Sequence, residues 1–376
     1  MAPLKVGLIG YGFSTKCFHL PFITPNKDLE VYAFLQRAEA PAEKSGVEKG
    51  KHCTIDYPKA KHYRTPEDFF GDKEIELVVV CSGGLHTEFA EQAMRAGKHV
   101  VVEKPFTITS EQSDSLIKTA KETGKVCTPF QNRRYDSDFL TLRSLIATGA
   151  LGEITDFTTH YDVDYPEWAL KWTEKEFVQG QGMLYGLGTH SIDQTLLLFG
   201  QPKSVWATTR SLRGETANDD TFTVVLQYGG DRKNLVATVK TTIVSSLPTE
   251  RQLKYFVRGR DGTFMKHGED PQIDHLFADM PADDPKFGVE PESTYGELWT
   301  KKQVVDTQTE DDKTKLWGGK YESQQGFYVN FYKDVVASIK DGKAQAIKPE
   351  ESRMGIRVIE MALESNRTGQ VVAWRD

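Results

Sequence analysis

Cysteine is scarce. Four occur in 376 residues, at Cys17, Cys53, Cys81 and Cys127, with no CxxC pair and no histidine at ligand spacing beside any of them. That argues against a zinc site or a disulfide framework, so no metal is expected and a reducing compartment fits. Long apolar runs are missing too. Mean hydropathy is −0.49, and stretches such as Leu77–Cys81 fall far short of the ~20 residues that span a bilayer. Positive charge is in deficit, with 47 Lys and Arg against 54 Asp and Glu and a net charge of −7. With a pI near 5.8 and no local basic stripe, neither nucleic acid nor an anionic membrane is expected as a partner. The segment MAPLKVGLIGYG carries no apolar targeting core and runs directly into a strand, so a cytoplasmic location is expected.

What is present is an ordinary globular mixture, 38% hydrophobic and 27% charged, long enough for two domains. Up to residue 130, short apolar runs alternate with helical stretches. Lys5–Ile9, Leu29–Leu35, Leu77–Cys81, His99–Val102 and Val126–Phe130 read as strands, with a helix over Thr87–Ala96 stopped by Gly97. Runs without strict alternation suit parallel strands covered on both faces, which predicts a doubly wound α/β domain. From residue 131 to 376 the pattern changes. Ile154–Asp162, Ser204–Thr209, Thr221–Tyr228, Asn234–Ile243 and Leu253–Gly259 predict an open antiparallel sheet, with helices over Gly188–Leu198, Gly326–Lys340 and Pro349–Thr368. Glu269–Glu297, dense in Asp, Glu and Pro, reads as a surface excursion.

The first chemical feature is the turn from Gly10 to Thr15, directly after the first strand. In a dinucleotide-binding unit the first glycine permits the tight turn and the second lets a pyrophosphate approach the backbone, at a helix N-terminus with free amides. Gly10 and Gly12 fill these roles, with Phe13 and Ser14 beside them, while Thr15 replaces the third glycine. A lone GxG also fits an ordinary turn, but its place at the first strand-to-helix turn favours a nucleotide. The second strand ends in Gln36 and Arg37 where an NAD site usually places a carboxylate. A guanidinium there can grip a 2′-phosphate, so NADP is the expected cofactor, with NAD the alternative.

Two further segments carry polar groups suited to proton transfer. Glu103-Lys104-Pro105 follows a strand, leaving Lys104 at the carboxyl edge where open parallel sheets bind ligands. In Gly180–Asp193, His190 and Asp193 lie three apart on one helix face. Either feature alone also fits a surface lysine or a structural pair.

Together, GLIGYGFSTKCFHLPF, AGKHVVVEKPF, QNRRYDSDF, GQGMLYGLGTHSID and FVRGRDGTFMKHGEDPQ resemble the glucose-fructose oxidoreductase, inositol dehydrogenase and MocA family, near its scyllo-inositol dehydrogenase-like branch. The resemblance implies a Rossmann domain over 1–130 and a substrate-binding and oligomerisation domain over 131–376, its large antiparallel sheet joining a homodimer or homotetramer. It implies hydride transfer between nicotinamide and a sugar, polyol or related carbonyl compound, with Lys104 and His190 in proton transfer. Asp193, Asn132 and Tyr161 would bind substrate. Gly10, Gly12, Phe13, Ser14, Gln36, Arg37, Cys81, Ser82, His86, Glu103, Lys104 and Asn132 would line the cofactor. The chain departs from the family at Gly186, where an Asp commonly precedes the histidine by four residues. A non-catalytic NADP-sensing regulator of the same fold is the rival reading. Tyr161, Asp162, Asp164, Tyr165, Trp168 and Trp172 suit either a sugar-stacking wall or a packed strand end.

Overall fold

A computed structural model describes residues 2–42, 46–82, 84 and 86–375, which form two compact units. The first holds six parallel strands, β1 (Leu4–Ile9), β2 (Leu29–Leu35), β3 (Lys61–Tyr63), β4 (Leu77–Val80), β5 (His99–Val102) and β6 (Cys127–Pro129), in the order β3-β2-β1-β4-β5-β6. All four residues of β4 and the three valines of β5 are fully buried, as expected where helices cover both faces. Gly7 in β1 is required by close approach: a Cβ there would lie 2.6 Å from the Phe69 ring. The strand order reverses direction between β1 and β4, which opens the ligand crevice of this topology at their carboxyl ends.

The second unit is built on ten strands: β7 (Ile154–His160), β8 (Ser204–Arg210), β9 (Thr221–Gln227), β10 (Val236–Thr241), β11 (Leu253–Gly259), β12 (Gly262–His267), β13 (Gly296–Thr300), β14 (Thr309–Glu310), β15 (Trp317–Tyr321) and β16 (Val372–Ala373). Their order is β14-β15-β13-β12-β11-β7-β10-β9-β8-β16, antiparallel except for the parallel pair β7 and β10. Inward residues such as Phe157, Val224, Val239 and Val257 pack against Phe139, Leu142, Ile192, Phe199 and Ile359 from the helices Ser137–Ala147, Thr189–Phe199 and Pro349–Thr368. The fold class matches the sequence expectation: a Rossmann-type parallel sheet and a separate, mostly antiparallel one.

Two expectations need correction, and the compact units add a detail: residues 276–285 and 328–353 cluster with the first unit. The cause is the helix Val329–Lys340, whose Phe331 packs edge-on to Phe130 at 4.7 Å between centroids and whose Tyr332 is fully buried. Amphipathic periodicity marks such a helix without saying which sheet it covers. That helix also starts at Val329 rather than Gly326, because Gly326 N donates to Gly288 O and Phe327 N to Tyr135 O, which ties the preceding chain to other segments. Finally, Glu269–Glu297 is not simply surface. Asp270, Gln272, Phe287 and Glu290 are buried, and Glu290 forms a buried ion pair with Lys266 at 3.0 Å. Charged residues in this stretch pair inward, which composition alone does not reveal.

Candidate functional site

The turn after β1 has the geometry of a phosphate cradle. Gly10 takes φ +94°, and its missing Cβ would sit 3.8 Å from the Cys81–Ser82 backbone that follows β4. The Thr15 hydroxyl donates to Gly10 O at 3.0 Å from a fully buried position, so the residue replacing the third glycine braces the turn. The chain then enters a π turn over Thr15–His19, a wide helical turn that often marks functional sites. Two observations suit a dinucleotide here. Among the described residues, nothing lies within 4 Å of where a Gly12 Cβ would be, so the backbone is open to a ligand. Ser82 Oγ, across from Gly10, is buried with no hydrogen-bond partner among the described residues. Phe13 is exposed at the tip of the turn.

At the end of β2, Gln36 is committed to the protein. Its side-chain oxygen accepts from Cys53 N at 3.0 Å and its carbonyl accepts from His62 Nε2 at 2.9 Å. Arg37 is exposed beside it. The sequence reading missed Arg64, which follows β3. Its Nε donates to Arg37 O at 3.2 Å and its Nη1 meets Glu39 at 2.7 Å, so adjacent strand ends carry two guanidinium groups. Only the pairing of β2 with β3 brings them together, and β3 is three residues long with no pattern of its own.

The Glu-Lys-Pro turn follows β5, and its Lys104–Pro105 peptide is cis. Glu103 is buried with both oxygens engaged. Oε1 accepts the Ser14 hydroxyl and faces His19 Nε2 at 3.2 Å, and Oε2 accepts the amide of Lys104 at 2.7 Å. The Glu103 carboxyl is therefore a brace behind the cradle, and Ser14 spends its hydroxyl on it. Burial works against the charge of Glu103, but the His19 hydrogen bond and charge outweigh it and hold the pKa down at about 2, against an ordinary 4.5. His19 shows the converse. Burial opposes its charge, while Cys81 and Glu103 beside it raise its pKa to about 10, from an ordinary 6.5. His86 Nδ1 donates to Pro105 O at 2.9 Å, and burial lowers its pKa, so a neutral ring secures the far side of the turn.

In the second unit, His190 lies in the first turn of the helix Thr189–Phe199, directly after a second π turn over Leu184–Gly188. Asp219 anchors that turn. Its carboxylate accepts from Leu184 N at 2.8 Å, its carbonyl accepts from Met183 N at 2.9 Å, and Gly182 must be glycine because a Cβ would lie 2.4 Å from Asp219. Burial pushes the Asp219 pKa up to about 7. His190 is buried, and a Cβ at Gly186, one turn earlier, would point into open space. Asp193 was expected to bind substrate hydroxyls, yet Arg134 grips both its oxygens, at 2.7 and 2.6 Å.

The remaining expected residues fall into different surroundings. Tyr161 is buried, takes a hydrogen bond from Arg133, and lies under Arg133 and Lys254 at 4.5 and 4.6 Å from its ring centre. Asp162 and Asp164 hold backbone amides of Thr242, Ser245 and Ser246, Tyr165 and Trp168 are exposed, and Trp168 meets the half-buried Trp172 edge to face at 5.5 Å. Asn132 is buried at the end of the first unit. Among the described residues one cluster has metal-ligand chemistry, His52, Cys53 and His62. His52 Nδ1 caps Thr54 N, His62 Nε2 bonds Gln36 O, and burial raises the Cys53 thiol to about 11, so these groups already serve the fold. No helix among the described residues is long and apolar enough to cross a membrane.

A tight glycine turn at the reversal point of a parallel sheet, with a second unit built on a mostly antiparallel sheet, is the architecture of a two-domain dinucleotide-binding protein. The chain belongs to the Gfo/Idh/MocA oxidoreductase family: residues 4–131 match its NAD-binding Rossmann fold and residues 143–374 its C-terminal α/β domain. It is 34% identical over 370 residues to scyllo-inositol 2-dehydrogenase (NADP(+)) IolW of Bacillus subtilis (strain 168), covering 98% of this chain and 95% of that one. D-glucoside 3-dehydrogenase of Escherichia coli (strain K12) is 32% identical over 208 residues, covering 54% of this chain and 55% of that one. The solved structure of the oxidoreductase YvaA from Bacillus subtilis superposes with a TM-score of 0.84 at 31% identity, covering 99% of both chains.

Proposed function

We propose that this oxidoreductase is an NADP-dependent dehydrogenase or reductase acting on a CH–OH group of a sugar or polyol, or on the matching carbonyl. The observation that carries this reading is the brace at Glu103, which joins the glycine-rich turn to the backbone of Lys104. A cofactor cradle and a proton-transfer residue held by one carboxylate are what hydride chemistry at an alcohol needs. Gly10, Gly12, Ser82, Arg37 and Arg64 would hold the dinucleotide, whose nicotinamide supplies the hydride acceptor or donor. Lys104 and His190 exchange the hydroxyl proton, and a histidine needs little tuning to do so near neutral pH. Trp168 and Trp172 offer apolar faces to a sugar ring. Asp193, engaged by Arg134, serves by fixing the helix of His190. Two guanidinium groups at the end of β2 and β3 support NADP over NAD.

The site works in a cytoplasmic homodimer or homotetramer assembled through the ten-stranded sheet, which light scattering checks. The test of activity is a panel of sugars, polyols and small aldehydes assayed against NADP and NADPH for a change in reduced-nicotinamide absorbance. Nicotinamide binding without turnover on any member would favour the NADP-sensing regulator, a reading that draws on Gly186 in place of the usual carboxylate.

A further inference from the structure

Behind the cradle runs a chain of buried polar groups that proton transfer does not use. The Tyr332 hydroxyl lies 2.6 Å from His19 Nδ1, and His19 Nε2 lies 3.2 Å from Glu103 Oε1. His19 and Tyr332 are each fully buried. Phe130 packs against the imidazole with ring centres 4.2 Å apart and planes tilted by 41°, which keeps the ring from swinging aside. Glu103 then hands this geometry forward, through Oε1 to the Ser14 hydroxyl and through Oε2 to the Lys104 amide.

A carboxylate buried this deeply stays ionised and in place only while a cationic or donor partner faces it. Leucine at position 19 would fill the space and satisfy the surrounding aromatics. Only a side chain with two ring nitrogens can reach Tyr332 on one side and Glu103 on the other. Sequence proximity does not reveal this pair, since Tyr332 stands 313 residues from His19. Both act at one remove, since it is the Glu103 carboxylate that contacts Ser14 and the Lys104 amide.

We propose that His19 is a positioning residue for the cofactor cradle: braced by Tyr332, it sets the Glu103 carboxylate, and Glu103 sets Ser14 and the Lys104 amide. This rests on the dinucleotide reading of the turn. A loss of the brace frees Ser14 and Lys104 to move by fractions of an ångström, enough to weaken binding of a ligand held by a rigid backbone.

The test is a fluorescence titration with NADPH on the full chain, with a melting curve on each sample. His19→Leu is expected to raise the NADPH dissociation constant about tenfold, the scale of one well-made hydrogen bond. Tyr332→Phe is expected to raise it about threefold. His19→Gln, whose amide can still donate toward Glu103, is expected to recover affinity to within about threefold of wild type. Folded His19→Leu that binds NADPH as wild type does, or His19→Gln as weak as His19→Leu, overturns the proposal. If His19→Leu does not fold, Tyr332→Phe decides: a weaker constant at a native melting curve supports the brace, and an unchanged one overturns it. Wild-type protein that fails to bind NADPH contradicts the dinucleotide reading itself, a separate failure visible before any variant is made.

Discussion

In each unit a carboxylate beside a proposed proton-transfer residue is buried against a cation, and the two cations differ. In the first, Glu103 faces His19; in the second, Asp193 faces Arg134 through two hydrogen bonds. Both carboxylates stand in segments where ligand contact was expected, and both are spent on holding the chain next to a proposed proton-transfer residue. Arg134 keeps its charge at every accessible pH and locks a planar fork. His19 can gain or lose a proton, so the first brace is adjustable and the second is permanent. Motif residues in this chain thus divide into groups that act and groups that hold them, and the choice of cation sets how firmly.

The largest effect expected is on the groups that the braces hold. Lys104→Ala and His190→Ala should each lower kcat by about 10²–10⁴-fold, the usual worth of a positioned acid or base. If either variant turned over at the wild-type rate, its brace would have no catalytic purpose. Next in size, Asp193→Ala removes two charge-assisted hydrogen bonds from the buried Arg134 guanidinium and should cost about 3–5 kcal/mol in a denaturant or thermal unfolding measurement. A loss below about 1 kcal/mol would mean that the fork is not structural.

The difference between the cations predicts a difference in pH response. The His19 pKa is raised to about 10, so its contribution is complete below its ordinary 6.5 and fades as pH climbs toward 10. The Glu103 pKa is lowered to about 2, so its contribution is complete above its ordinary 4.5 and fades as pH falls toward 2. The melting temperature of wild type minus that of His19→Gln should therefore be greatest between pH 4.5 and 6.5 and shrink on the alkaline side. For Arg134→Met the same difference should hold steady from pH 6.5 upward. Matching profiles would erase the contrast.

Smaller effects sharpen the cofactor reading. Arg37→Ala should lower NADP preference over NAD by about tenfold, one charge-assisted contact to a phosphate, in Michaelis constants for the two cofactors. Gly186→Asp should leave the melting temperature nearly unchanged, because a Cβ there meets open space. Its effect on kcat then reports whether a carboxylate one turn before His190 helps.

Much of the first unit was legible because its signals are local. Non-alternating valines in β4 and β5 and a glycine turn after β1 need no partner to be read. Gly10, Gly12 and Lys104 stand where local grammar put them. The roles of Glu103 and Asp193 were not legible, because His19 is 84 residues from one and Arg134 is 59 from the other. Spacing shows that a carboxylate lies near a site and not which cation reaches it first. For the same reason Arg64 and Asp219 went unnoticed: each acts through a strand or turn brought close only by folding. The Val329–Lys340 helix had a clear apolar stripe, yet nothing in that stripe names the first unit as its partner.

The most direct test of the account is to incubate wild type and Lys104→Ala with NADP and the sugar and polyol panel while following reduced-nicotinamide absorbance. The account predicts turnover by wild type on at least one polyol or sugar and its near loss in Lys104→Ala, with NADPH still bound by both. Wild type that binds NADPH yet reduces no cofactor with any member, in either direction, would contradict it.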